Sequence, residues 1–319
     1  MDTYWHTYYD ADTIARSDQL RRTVNVTSTG VTLHVDCYEG AADAPVLILN
    51  HGGGGYSRVF VPVALNLYDR GYTVLLPDQR GQGYSEGDRG DYVLSDFVQN
   101  IVDVTAWAHA HYGRKPFLAG GSVGGALTYM AAAAGAPVQA IICHNLYDFG
   151  SAQDAIGVSR FAFLTRVPGM ARLATNITNL LARTLPGLRV PFRLIGQFST
   201  MVDDRANTGF YQKWLADPLP IKWVSLRYVR SMSTTPPAVP FESNMTPVLV
   251  INPALDQMTD PALTRHNYER LGGEKAYAEI PYGHWATGDA YVQAWCDLVD
   301  DWCRAHRPTH NTSIGSTST

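Results

Sequence analysis

The sequence is poor in cysteine. Four cysteines in 319 residues make no disulfide scaffold, and Cys37, Cys143, Cys296 and Cys303 form no C-x-x-C pair. All four are expected to be small core residues. Cys296 and Cys303, seven apart on a predicted helix, share one face. Long apolar runs are missing too, and none approaches the ~18 residues of a membrane helix. The first twenty residues, MDTYWHTYYDADTIARSDQL, have no basic stretch followed by an apolar one, so no secretory leader is expected. The N-x-S/T triplets at Asn25, Asn176, Asn244 and Asn311 then read as chance matches, and a reduced cytoplasmic setting is the expectation. There is no basic excess. The formal net charge is −4, which argues against a nucleic-acid partner. The chain also lacks H-E-x-x-H and any His/Cys/Asp cluster at ligand spacing, so neither metal nor cofactor is expected.

What the chain does have is apolar mass. Hydrophobic residues are 45% of the chain and charged residues 17%, which allows a sizeable core and excludes a wholly disordered protein. The length suits one large domain with an insertion, or two unequal domains. Residues 22–28 and 31–37 alternate apolar with polar around Thr29-Gly30, the pattern of a hairpin. Short continuous apolar runs follow at 46–49, 73–76, 116–119, 138–143, 248–251 and 276–280. Strands buried on both faces look like this, and they belong to parallel sheets covered by helices. Helical patterns separate them. Ser95 is placed to cap a helix with the stripe Phe97, Ile101, Val104, Ala108, ending near Gly113. Residues 122–134 are alanine-rich. Asp260-Pro261 opens a helix closed by Gly272-Gly273, and 291–306 puts Trp295, Leu298, Val299 and Trp302 on one face. The alternation predicts an α/β fold. Residues 150–241 break the rhythm, with many aromatics and prolines and no buried-strand run. They read as an inserted cap between a first core part, 1–149, and a second, 242–308. Residues 1–20 are expected to be a loose arm and 309–319 a disordered tail.

The strongest chemical signal is Gly120-Gly121-Ser122-Val123-Gly124, a G-x-S-x-G between an apolar strand and a helix. A serine at a sharp strand-to-helix turn needs small residues two before and two after it, because those positions crowd each other. The turn lifts the hydroxyl off the sheet to a helix N-terminus, where developing negative charge is favoured. Ser122 is therefore the expected nucleophile. A phosphate-cradling loop is the alternative.

A serine hydroxyl needs a base, and the base needs an orienting group. Among ten histidines, His284, in Pro281-Tyr282-Gly283-His284 between the last strand and the last helix, sits at the carboxyl edge of the sheet with Ser122. Asp256, just after the 248–251 run, is the expected acid. Asp148, after an earlier strand, is the runner-up, and Asp260 is better explained as a helix cap. The order Ser, Asp, His is the order this architecture requires. The oxyanion needs N–H donors. The backbone of Val123 supplies one. The loop Asn50-His51-Gly52-Gly53-Gly54-Gly55 supplies the second, with Gly53 favoured and Gly54 the alternative.

With these residues in place, the chain resembles the α/β-hydrolase superfamily. More narrowly, it is similar to the capped serine hydrolases grouped with lysophospholipases, monoacylglycerol lipases and serine aminopeptidases. The resemblance rests on His51-Gly52-Gly53-Gly54, Asp78-Gln79-Arg80-Gly81-Gln82-Gly83-Tyr84-Ser85, Gly120 to Gly124, Asp256 and His284. It covers roughly residues 22–306. Two departures blur the subfamily: Gly121 stands where the group often has histidine, and Asn252-Pro253 where it often has His-Gly. The resemblance implies a mostly parallel eight-stranded sheet flanked by helices, with a helical cap roofing the site. It makes the segment from Asp78 to Ser85 scaffold. Cap aromatics, among them Phe161, Phe163, Phe192, Phe198, Phe210, Tyr211, Trp214 and Trp223, line an apolar pocket or anchor the cap. Phe163, Phe198, Phe210 and Trp214 are the expected substrate contacts. The expected partner is a small ester with an apolar acyl or alcohol group. The rivals are an aminopeptidase using Glu242 or Asp203-Asp204 to hold an amine, an acyltransferase, and a ligand-binding protein that keeps the hydrolase body.

Overall fold

In the computed structural model, residues 3–203 and 209–307 are described. The segment expected to be a loose arm is packed. Tyr4–Tyr8 is a short 3-10 turn and α1 spans Ala11–Leu20. Trp5 is fully buried, with the Arg21 and Arg58 guanidiniums 5.2 and 5.8 Å from its ring. Ser17 and the Tyr38 hydroxyl share a 2.7 Å hydrogen bond. The aromatic residues that made this segment unusual in sequence are what hold it down. The tail at 309–319 lies outside the described residues.

β1 (Arg21–Ser28) and β2 (Val31–Tyr38) form the hairpin, turning through Thr29 and Gly30 at φ 47 and 79°. β3 (Val46–Asn50) and β4 (Thr73–Pro77) flank α2 (Val61–Asp69). α3 (Leu94–Tyr112) does not start from Ser95. It begins after Val93, whose N–H donates to the Asp96 carboxylate at 3.0 Å, so Asp96 closes the helix start and Ser95 faces outward. β5 (Phe117–Gly121) runs into α4 (Val123–Ala133), and β6 (Ile141–His144) follows. β6 starts later than the apolar run at 138–143, and Gln139 N–H donates to the Pro116 carbonyl just ahead of β5 at 2.9 Å.

The chain then leaves the sheet for an insertion. It contains α5 (Ala152–Gly157), α6 (Met170–Thr184), β7 (Arg189–Pro191), α7 (Phe210–Ala216), β8 (Trp223–Ser225) and α8 (Leu226–Ser231). β7 and β8 pair with each other and not with the main sheet. The chain returns in β9 (Val248–Pro253), α9 (Pro261–Arg270), β10 (Lys275–Ile280) and α10 (Asp289–Ala305).

The eight main strands run in the order β1-β2-β4-β3-β5-β6-β9-β10. β2 is antiparallel to β1 and β4, and the other pairs are parallel. Every residue of β3, β4, β5, β6 and β9 is buried, which is why those strands read as unbroken apolar runs. The four cysteines are buried and unpaired. Among the described residues, no helix is long and apolar enough to cross a membrane. The parallel strands aim their carboxyl ends at one rim, where the loops after β3, β5, β6, β9 and β10 meet.

Candidate active site

Ser122 sits between β5 and α4 at φ 57° and ψ −124°, a conformation side-chain-bearing residues avoid. The crowding expected of the motif is present. A Cβ on Gly120 would run into the Gly124 carbonyl, and one on Gly124 into the His51 and Asn50 carbonyls. The loop after β3 thus lies directly against the elbow. A Cβ on Gly52 would come within 3.4 Å of Ser122 Cβ, and one on Gly53 within 3.2 Å of Val123 Cγ2.

The two favoured backbone donors, Gly53 and Val123, therefore flank Ser122. Gly54 turns away. Its carbonyl accepts from Ile221 N–H at 2.9 Å, and Phe192 packs on its α-carbon. His51 holds this loop. It accepts at Nε2 from Gln79 N–H at 3.2 Å and donates from Nδ1 to the Gly52 carbonyl at 2.9 Å. Burial lowers its pKa, which keeps the imidazole neutral for both bonds.

His284, in the loop after β10, donates from Nδ1 to Asp256 Oδ2 at 2.7 Å. That bond leaves Nε2 as the basic nitrogen. The other Asp256 oxygen accepts from Met258 and Thr259 N–H at 2.8 and 3.0 Å. Burial alone would raise the Asp256 pKa, but the His284 charge and these hydrogen bonds outweigh it and hold the carboxyl below its ordinary value. Asp148, the runner-up acid, is engaged elsewhere, accepting from Arg270 Nη1 at 3.0 Å. Asp260 does cap α9, accepting from Ala262 N–H at 2.9 Å. The segment from Asp78 to Ser85 is scaffold as expected: Asp78 accepts from Ser57 N–H at 2.6 Å and Tyr84 N–H at 2.8 Å.

Two chambers meet at Ser122. The smaller, about 90 Å³, is lined by Ser122, His284, Gly53, Phe60, Trp285, Phe198, Phe210 and Trp214. The larger, about 230 Å³, lies under the insertion and is lined by Ser122, Gly53, Val123, Tyr147, Phe161, Phe192, Phe198 and Tyr228, among others. No Asp, Glu, Lys or Arg side chain lines either chamber among the described residues. Phe198, Phe210 and Trp214 thus face the site. Phe163 does not: it is 59% exposed and lines neither chamber, because its turn stands on the outside of the insertion. Trp223 is exposed, and Tyr211 lines neither chamber.

One residue at the site went unseen in the sequence. His144, the last residue of β6, is fully buried. Its carbonyl accepts Ser122 N–H at 2.8 Å, and its Nε2–H donates to the His284 carbonyl at 2.8 Å. Its only signal was a polar residue closing an apolar run.

A buried carboxylate–imidazole pair beside a strained serine, at the carboxyl rim of this sheet, is the arrangement of a serine hydrolase on the α/β-hydrolase fold. A family model described as "Serine aminopeptidase, S33" matches residues 41–285, and the chain belongs to that family. An uncharacterized 31.7 kDa protein of Escherichia coli is 24% identical over 294 residues, 88% of this chain and 97% of its own. Among solved structures, a monoacylglycerol lipase of Paleococcus ferrophilus is similar at 19% identity and TM-score 0.62, over 86% of this chain and 99% of that one. A soluble variant of the Saccharomyces cerevisiae monoglyceride lipase, in complex with a substrate analog, is similar at 15% identity and TM-score 0.71, over 91% and 97%. At these identities the solved structures speak for the fold alone, that of an α/β-hydrolase.

Proposed function

We propose that the protein cleaves carboxylic esters through an acyl-enzyme on Ser122. Ser122 Oγ attacks the ester carbonyl while His284 Nε2 takes its proton. The Gly53 and Val123 N–H groups receive the oxyanion. His284 returns the proton to the leaving alcohol, then activates the water that releases the acid. Asp256 keeps the imidazole in the tautomer this requires. Residues 150–241 act as the cap over the site. The observation that carries the reading is the 2.7 Å Asp256–His284 bond, with His284 and Ser122 lining one apolar chamber. The substrate is a small ester with an apolar acyl or alcohol part, not a nucleic acid. Four buried unpaired thiols support a reducing, cytoplasmic setting.

The family description favours a second reading, amide cleavage next to a free amine. That chemistry calls for a carboxylate facing the substrate, and among the described residues no Asp or Glu lines either chamber. Glu242 is bound to Arg270 Nε at 2.8 Å, and Asp203 accepts from Gly283 N–H at 3.2 Å outside both chambers. Asp204 lies outside the described residues.

A fluorophosphonate probe tests the nucleophile. The wild-type protein should carry the adduct on Ser122, and Ser122→Ala and His284→Ala should carry none. An adduct that persists in Ser122→Ala would overturn the reading. Turnover of p-nitrophenyl esters against aminoacyl-anilides then separates the two chemistries, and faster anilide cleavage would favour the peptidase.

A further inference from the structure

The insertion is apolar on its outer side as well as its inner one. Of the fifteen large apolar side chains that stand exposed among the described residues, ten lie between Phe161 and Leu194. Four of them are on α6: Leu173, Ile177, Leu180 and Leu181, each between 50% and 63% exposed. The spacing i, i+4, i+7, i+8 puts these four in one stripe. The opposite face of the helix is buried through Ala171, Thr175 and Ala182, and Thr175 and Thr178 line the larger chamber. The apolar stripe and the chamber are thus the two sides of one helix. Phe161 belongs to both surfaces, 45% exposed and lining the chamber. Single exposed leucines are ordinary, but a cluster of this kind marks a surface that something covers.

The charge on this face says what covers it. From Ala155 to Val202 the chain has six arginines and no Asp, Glu or Lys, although its formal net charge is −4. Arg160, Arg166, Arg172, Arg183, Arg189 and Arg193 are all exposed. None of them forms an ion pair with a described residue. Arg172 and Arg183 are about three helical turns apart, so they stand together along one flank of the stripe. A second copy of the chain seated face to face would set arginines against arginines around an apolar centre, with no carboxylate to offset them. A lipid surface with anionic headgroups suits both features. The apolar side chains reach the acyl boundary while the arginines stay at headgroup level.

We propose that the outer face of α6 docks on an anionic lipid surface, with Leu173, Ile177, Leu180 and Leu181 entering the interface and Arg172 and Arg183 meeting the headgroups. The larger chamber then lies one helix away from the lipid. The docking is independent of the ester-hydrolase reading, since none of these six residues lines either chamber at Ser122.

The test is co-sedimentation of the full chain with vesicles of phosphatidylcholine alone, and of phosphatidylcholine with about 30% phosphatidylglycerol, at about 0.05 M and about 0.5 M salt. At low salt the wild type should bind the anionic vesicles at least about 10-fold more tightly than the neutral ones, and it should lose most of that advantage at high salt. Arg172→Gln with Arg183→Gln should weaken binding to the anionic vesicles about 10-fold or more and leave the neutral ones within about 2-fold. Leu180→Ser with Leu181→Ser should weaken binding to both kinds. All four side chains are exposed, so both variants should melt with the wild type. The lipid and salt dependence of the wild type tests the proposal without any variant. The proposal is overturned if the wild type binds neither kind of vesicle, if it binds both alike, or if the two variants bind as tightly as the wild type. A dimer in sedimentation equilibrium that Leu180→Ser with Leu181→Ser converts to a monomer would assign the face to a second copy and overturn it too. Loss of vesicle binding beside intact ester turnover and a Ser122 adduct sinks the docking alone. Vesicle binding with neither turnover nor adduct sinks the hydrolase reading alone.

Discussion

His144 Nε2 donates to the backbone carbonyl of His284 across 2.8 Å, so one histidine holds the main chain of another. The same residue accepts Ser122 N–H on its own carbonyl. The bond requires a neutral His144 with the proton on Nε2, leaving Nδ1 buried and without a partner. Burial pushes its pKa down to about 4, outweighing the His284 carbonyl, which pulls it up.

A pH dependence of stability follows. The unfolded imidazole takes its proton near pH 6.5, and the folded one only near 4. Between these values the unfolded state holds the extra proton, so stability falls as pH falls through that window and this contribution is flat below it. The loss is on the order of 3 kcal/mol. Urea unfolding at pH 7 and pH 4 should show a larger stability difference for the wild type than for His144→Gln, which does not titrate. Equal differences in the two proteins would refute the assignment.

Asp256→Asn separates charge from shape. The asparagine is nearly isosteric, yet with its oxygen kept on the Met258 and Thr259 N–H groups its NH2 faces His284 Nδ1, where it donates and enforces the wrong tautomer, and it carries no charge to stabilise an imidazolium. If the acyl-enzyme mechanism holds, kcat for p-nitrophenyl butyrate should fall about 10³–10⁴-fold. The Met258 and Thr259 N–H bonds to Oδ1 are preserved with an amide oxygen, so the variant should stay folded by far-UV circular dichroism. A loss under 10-fold would show that Asp256 does not serve the base.

The backbone at Ser122 stores strain that a substitution pair can reveal. Its φ of 57° with ψ of −124° costs a side-chain-bearing residue about 1–3 kcal/mol and glycine almost nothing. Ser122→Gly and Ser122→Ala both remove the hydroxyl. Glycine loses more chain entropy on folding, roughly 0.5–1 kcal/mol, so the net advantage should still fall to glycine by about 1 kcal/mol. Thermal melts should place Ser122→Gly above Ser122→Ala. The reverse order would mean that the elbow is unstrained.

The parts of this site readable in the sequence are those imposed by local geometry. Gly120 and Gly124 are glycines because a neighbouring carbonyl occupies the place of a Cβ, and that demand is written as G-x-S-x-G. Asp256 and His284 were legible because each follows a strand of the parallel sheet, and such strands end at the rim. The unread parts depend on tertiary contacts without periodicity. Trp5 looked like part of an arm because its partners, Arg21 and Arg58, come together only in the fold. Phe163 and Phe198 are the same residue type in the same irregular stretch, and only packing decides that one faces solvent and the other the site.

Phe198 lines both chambers, stacked on Trp214 at 5.1 Å between ring centroids and edge-on to Phe192 at 4.8 Å. It is therefore part of the wall between the two chambers. Removing the ring in Phe198→Ala joins them and opens a cavity, at a stability cost of about 3–5 kcal/mol. Phe198→Leu keeps most of the volume and costs less, so it serves as the folded control. Across p-nitrophenyl esters from acetate to decanoate, kcat/KM in Phe198→Ala should shift its optimum toward longer acyl chains than in the wild type, with Phe198→Leu between the two. If the wall does not set acyl length, the three optima will coincide.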